Sequence, residues 1–187
     1  KESGSAVLGL PFAGRVDQDS RQALGCFANV LPIAIAPDMT RGLADLVQQV
    51  GREILLMMDV QDYPLSRLSM DLSAMAHGPV GLPFDAVSVI EINEDIDDID
   101  DIDFGAGKFP LMVALVKCGS GTHLAIEYQT SIYGTRWAER FADHFLTFVC
   151  SCAVNPLHPL GGVGLLPAHD KQLLLTAWND TGSDYPR

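Results

Sequence analysis

Six consecutive apolar residues, Leu111-Met-Val-Ala-Leu-Val116, constrain this chain more than any other stretch. The run is far too short to span a bilayer and offers no polar face to water. It therefore predicts a strand covered on both faces, which requires helices packed on a sheet. Beyond it, Cys118-Gly-Ser-Gly-Thr122 precedes an alternation of Leu124, Ile126 and Tyr128 with His123, Ala125, Glu127 and Gln129. That pairing of a glycine-rich turn with period-two hydrophobicity predicts a hairpin.

The remaining segments fill in the same architecture. Ala6 to Arg15 and Leu24 to Ile35 read as strands, with Pro32 and Pro37 limiting the second to few partners. Thr40 offers an N-cap to a helix whose stripe is Leu43, Leu46, Val47, Val50, Ile54 and Met57. Pro64 suits the first turn of a second helix, striped by Leu65, Leu68, Leu72 and Met75 and stopped by Gly78-Pro79. Ala86 to Ile92 reads as a strand. Thr135 opens a long helix with Trp137, Phe141, Phe145, Phe148 and Cys152 on one face, ended by Asn155-Pro156. Strands and helices interleave without a βαβ rhythm, so the expected fold class is α/β of the α+β type, a mixed sheet with packed helices. Residues 1–156 form the expected lobe. Residues 157–187, rich in Pro, Gly and turn residues around a short helix at Lys171–Trp178, read as a linker.

Composition removes several function classes. Twenty-four acids against 12 bases give a net charge of −12, which disfavours phosphate-backbone contacts and hence nucleic acid. No apolar run reaches membrane length and the N-terminal residues do not resemble a signal peptide, so the expectation is no membrane contact and a cytoplasmic location. Four cysteines in 187 residues read as reduced thiols. Eight of the 24 acids crowd into Glu91–Asp103, interleaved with Ile92, Ile96, Ile99 and Ile102, which leaves −4 for the rest of the chain. The spacing misses that of a calcium loop and reads as a solvated excursion between two strands, with calcium or a basic partner as the alternatives.

Candidate chemistry is sparse. Cys150-x-Cys152 has no second ligand pair, so no metal is expected. Gly161-Gly-Val-Gly164 lacks the Lys-Ser/Thr of a phosphate loop. Ser120 has neither nucleophile elbow nor base, and the five histidines stand singly. No catalytic residue is assigned.

Read in order, several segments resemble the condensation domain of nonribosomal peptide synthetases, over its C-terminal half. Val7-Leu-Gly9 to Gly14-Arg15 is similar to a strand ending in Gly-Arg. Leu24-Gly-Cys-Phe-Ala-Asn29-Val-Leu-Pro32 resembles an Ile-Gly-x-Phe-x-Asn segment, and Gln61-Asp62-Tyr63-Pro64 the core of His-Gln-Asp-Tyr-Pro-Phe. Pro83-Phe-Asp85 stands where the family has Asn-Pro-Leu-Phe. Leu165-Leu166 through Leu173-Leu174 to Trp178-Asn179-Asp-Thr181 resembles the linker between condensation and adenylation domains. Departures are specific: Ala34 replaces an arginine, Val60 the motif histidine, and Leu65-Ser66 the Phe-Glu pair. The family's catalytic His-His-x-x-x-Asp-Gly belongs to the other lobe and has no counterpart here, since Ala76-His77-Gly78 lacks the second His and the Asp.

The resemblance implies one lobe of a two-lobed, chloramphenicol-acetyltransferase-like fold. Such domains form amide bonds between aminoacyl thioesters carried on two partner proteins, whose phosphopantetheine arms meet in a tunnel between the lobes. This chain would bind no cofactor itself. The implied tunnel or structural residues are Arg15, Asn29, Asp62, Tyr63 and Pro64, with Asn29 either lining the tunnel or tying a strand to its neighbour. Trp178 and Asn179 would lie on the adenylation side. The implied partners are the N-terminal lobe, an adenylation domain and peptidyl carrier proteins, with self-association through the exposed lobe face. Alone, such a lobe is expected to be inactive. The rival reading is a non-catalytic platform for the adenylation domain.

Overall fold

The computed structural model describes residues 4–92, 108–119 and 121–180. Its strands are β1 (Ala6–Phe12), β2 (Asn29–Ile35), β3 (Ala86–Ile92), β4 (Leu111–Cys118) and β5 (Gly121–Tyr128). They form one mixed sheet in the order β2-β1-β3-β4-β5. The outer pairs are antiparallel, and the inner pairs β1–β3 and β3–β4 are parallel. The helices are α1 (Gln18–Gln22), α2 (Leu43–Met58), α3 (Leu65–Met75), α4 (Thr135–Val154) and α5 (Ala168–Gln172). Helices α2 and α3 pack beside β2, and α4 packs beside β5. The expected mixed sheet with packed helices is what the chain forms.

Local chemistry explains most boundaries. Pro32 lies opposite Gly9 on β2, and β2 is the sheet's outer strand, where a missing donor is tolerated. The hairpin predicted at Cys118–Thr122 closes with Cys118 opposite Gly121. Phe84, 4% exposed, lays its ring over Gly9, where a Cβ would stand 2.8 Å from it. Along α4, Trp137, Phe141 and Phe145 stack in sequence with Tyr133, at centroid spacings of 4.2, 5.2 and 6.2 Å.

Four expectations need correction. First, β2 begins at Asn29 rather than Leu24, because the loop before it is gathered around Arg15 instead of a neighbouring strand. Second, Thr40 does not cap α2; its hydroxyl and its N–H both donate to the Asp38 carboxylate, at 2.7 and 2.9 Å. The cap position falls to Gly42, and the Ala44 N–H donates to the Pro156 carbonyl at 3.1 Å. A Cβ at Gly42 would lie 2.4 Å from that carbonyl oxygen, so only glycine permits the approach. Third, Pro64 precedes α3 at its N-cap rather than entering the first turn. Fourth, β4 is fully covered on one face only among the described residues: Ala114, Val116 and Cys118 are buried, whereas the other face is covered at Leu111 but opens at Leu115, whose neighbour Ile90 on β3 is 77% exposed.

Helix α1, Gln-Asp-Ser-Arg-Gln, has no apolar residue and so gives no periodic signal in the sequence. Asp17 and Ser20 form its capping box, which holds the Asp17 carboxyl below its ordinary value, chiefly through the Ser20 N–H. The acidic run falls outside the described residues beyond Ile92. No helix among the described residues is long and apolar enough to cross a membrane.

Candidate functional site

The residues singled out by sequence fall into three groups. Strand β1 stops at Phe12 rather than running on to Arg15, and Arg15, three residues beyond it, directs its guanidinium into the segment formed by α1 and the loop that follows it. It donates to the carbonyls of Ser20, Ala23 (2.9 Å) and Gly25 (2.9 Å) and lies 4.7 Å above the centre of the Phe27 ring. Its charge is thus spent on folding a loop, with three backbone acceptors and an aromatic face as partners.

Asn29 opens β2 opposite Phe12 and reaches across to the segment entering α3. Its amide donates to the carbonyls of Gln61 (3.1 Å) and Tyr63 (2.7 Å), and its oxygen accepts the Leu65 N–H at 3.2 Å. Leu65 is the first residue of α3, so its N–H has no partner within the helix. One amide therefore fixes the Gln61-Asp-Tyr-Pro64 corner and caps the helix that leaves it. Of the two roles considered for Asn29, this geometry is the tie between a strand and its neighbour.

Within that corner Asp62 is exposed, and Pro64 presets the backbone for the helix. Tyr63 turns outward, where its hydroxyl donates to Asp71 and Arg67 approaches the same carboxylate at 3.2 Å. The bond to Asp71 raises the Tyr63 phenol above its ordinary value, and the same bond lowers the Asp71 carboxyl. Attraction to Asp71 raises Arg67. This exposed triad braces α3; it contains no group poised to act as a base at neutral pH.

Trp178 and Asn179 lie elsewhere, at the C-terminal end of the described chain. The Asn179 amide donates to the Leu174 carbonyl at 2.7 Å, closing the helical turn Leu173–Ala177 that continues α5. Trp178 lines a groove along α4 with Arg136, Trp137, Arg140, Phe141 and His144. The intervening segment is fastened to the lobe. Leu160 and Gly161 donate their N–H groups to the carbonyls of Arg41 and Met39, each at 2.8 Å. Asp170, 8% exposed, accepts from His144 Nε2 at 3.1 Å and lies 3.3 Å from His169. The His144 bond holds the Asp170 carboxyl below its ordinary value.

The structure brings Asn29 together with Tyr63 and the backbone on either side of Asp62, while Trp178 and Asn179 belong to a different contact. Sequence reasoning missed the Asp170–His144 pair and the arginines of α4. The four-residue spacing Arg136, Arg140, His144 was the available signal for the latter.

Comparison with known proteins converges on one family. The family model described as "Condensation domain" matches residues 1–175. Tyrocidine synthase 2 of Brevibacillus parabrevis is 28% identical over 189 residues, covering 96% of this chain. Surfactin synthase subunit 1 of Bacillus subtilis (strain 168) is 26% identical, also over 96% of the chain. The chain spans about 5% of the length of each of these relatives. Among solved structures, the first condensation domain of the calcium-dependent antibiotic synthetase superposes with a TM-score of 0.68 at 19% identity, over 88% of this chain and 38% of that one. A four-domain nonribosomal peptide synthetase bound to AMP and glycine gives 0.74 at 16% identity, over 90% of this chain and 14% of that one. The matched region runs through every strand and helix from β1 to α5, and the chain belongs to the condensation domain family.

Proposed function

We propose that this chain is the C-terminal lobe of a nonribosomal peptide synthetase condensation domain, followed from residue 157 by the start of a linker towards an adenylation domain. The observation that carries this reading is coverage: a family match through residue 175 accompanies only 38% of a solved condensation domain. The parent reaction is attack of a carrier-bound amine on a carrier-bound aminoacyl thioester. Both phosphopantetheine arms belong to carrier proteins, and this lobe supplies one wall of the tunnel in which they meet. Arg15 and Asn29 act there as positioning residues, holding the loop before β2 and the Gln61–Pro64 corner.

In this reading the 187 residues, which contain no His-His-x-x-x-Asp-Gly, are inactive alone. The test is dipeptide formation with two loaded carrier proteins. The isolated chain should give no product, and the reading is overturned if it does. The exposed sheet face around Ile90 and Leu115 would contact the N-terminal lobe or, without it, a second copy. Light scattering should then show self-association at high concentration; a strictly monomeric species counts against this contact.

A second reading is favoured by the attachment of Leu160, Gly161 and Asp170 to the lobe. It makes the chain a non-catalytic platform that presents the adenylation domain from a rigid base. The parent gene separates the two: coding sequence for the histidine motif upstream of Lys1 supports the first, and a translation start near Lys1 supports the second.

A further inference from the structure

We propose that the groove along α4 is a docking surface for an acidic segment of a protein partner. Arg136, Arg140 and His144 follow one another at four-residue intervals on α4, and Trp137 and Phe141 lie beside them. Trp178 joins the lining from the C-terminal segment, and the groove encloses about 710 Å³.

Three features point to an acidic peptide. Among the described residues, neither Arg136 nor Arg140 has a carboxylate within salt-bridge distance, and both side chains are exposed. Glu139 and Asp143 also stand on α4 but do not line the groove, and Asp170 is already held by His144 and His169. In a chain of net charge −12, a groove lined by two guanidiniums that make no salt bridge among the described residues, Arg140 acting on Asp170 only at longer range, keeps open forks for carboxylates. Both tryptophans of the chain line this groove, and Trp178 remains 63% exposed. Exposed Trp and Arg together are the composition of an interface centre. Finally, the groove is open along two turns of helix, which suits an extended or helical segment better than a small molecule that must be largely enclosed. Acidic side chains of the partner would meet the arginines, and apolar ones between them would rest on Trp137 and Trp178. This inference stands apart from the reading of the chain as a condensation lobe.

Because no tryptophan lies elsewhere, intrinsic tryptophan emission reports the groove directly. The probe is a short synthetic peptide of glutamates and leucines, compared with its lysine-for-glutamate counterpart, with AMP and with inorganic phosphate. The glutamate peptide should change the emission saturably and bind more weakly as salt rises. The double variant Arg136→Gln, Arg140→Gln should weaken binding about tenfold or more. Its circular dichroism should match the parent, since neither arginine makes a salt bridge among the described residues. If the double variant fails to fold, Arg136→Lys with Arg140→Lys keeps the charge while removing the forks, and should still weaken binding. The proposal is overturned if the glutamate peptide gives no response, if the lysine peptide binds equally, if AMP or phosphate binds in preference, or if the folded variants bind as the parent does.

Discussion

Asn29 commits every polar atom of its side chain to backbone, two hydrogens on carbonyls and one oxygen on an N–H. Removing it leaves three main-chain groups to find water or go unpaired. Asn29→Ala should therefore cost about 2 kcal/mol in urea unfolding, within the usual range for stranded hydrogen-bonding groups. Asn29→Asp should also destabilise, because a carboxylate oxygen would replace the amide nitrogen against the Gln61 and Tyr63 carbonyls. His77 shows the opposite situation. It ends α3 at φ 55°, a left-handed conformation, and the Gly78 N–H bonds back to the Ser73 carbonyl. His77→Gly should raise stability by about 1 kcal/mol, read from the same urea transition. The sequence showed Asn29 as a residue of interest, yet its role depends on partners more than thirty positions away, which no local pattern encodes. For His77 the local signal pointed to Gly78, one residue late, because glycine is the usual occupant of that position.

Elements with strong periodicity were legible: the stripe of α2, the aromatic face of α4 and the β4–β5 hairpin all fall where their spacing puts them. Elements set by a single distant or local polar contact were not. The start of β2 is decided by an arginine gathering carbonyls, and the start of α2 by a carbonyl from Pro156. The contact between α4 and α5 belongs to this second group and titrates. Asp170 has its carboxyl held below 3.8 by the His144 bond, with smaller contributions from the charges of His169, Arg140 and His144. A lowered folded value means that the stabilisation is complete above the ordinary carboxylate pKa and drains away as pH falls through the folded one. Acid titration should accordingly show the parent losing stability below about pH 3.8, relative to its value at pH 6, more steeply than Asp170→Asn. Equal slopes for the two proteins would remove Asp170 from the account.

Across the whole molecule, the sheet order combines two antiparallel outer pairs with parallel inner ones, so β1 meets β3 only after β2 and three helices have intervened. Sequence patterning identified these strands but carried nothing about which of them would be neighbours. It also overstated the cover on β4: an all-apolar run reports that both faces avoid water, and here the second face is covered at Leu111 but exposed at Leu115 among the described residues. The thiols divide along the same inside–outside line. Cys26 and Cys150 are exposed, Cys118 and Cys152 are buried, and burial raises the Cys152 thiol above its ordinary value. Iodoacetamide should label the first two rapidly in the native protein and the second two only on unfolding, with mass spectrometry locating the sites.

The paired backbone of Leu160 and Gly161 with Arg41 and Met39 has a mechanical meaning. A pull applied at residue 180 would load the Asp170–His144 contact on α4 first, and through Leu160, Gly161 and the Pro156–Ala44 contact would then reach the start of α2. The C-terminal segment is thus moored at two corners of the lobe, α4 beside β5 and the β2–α2 turn, and a tug on it would be shared between the two edges of the sheet.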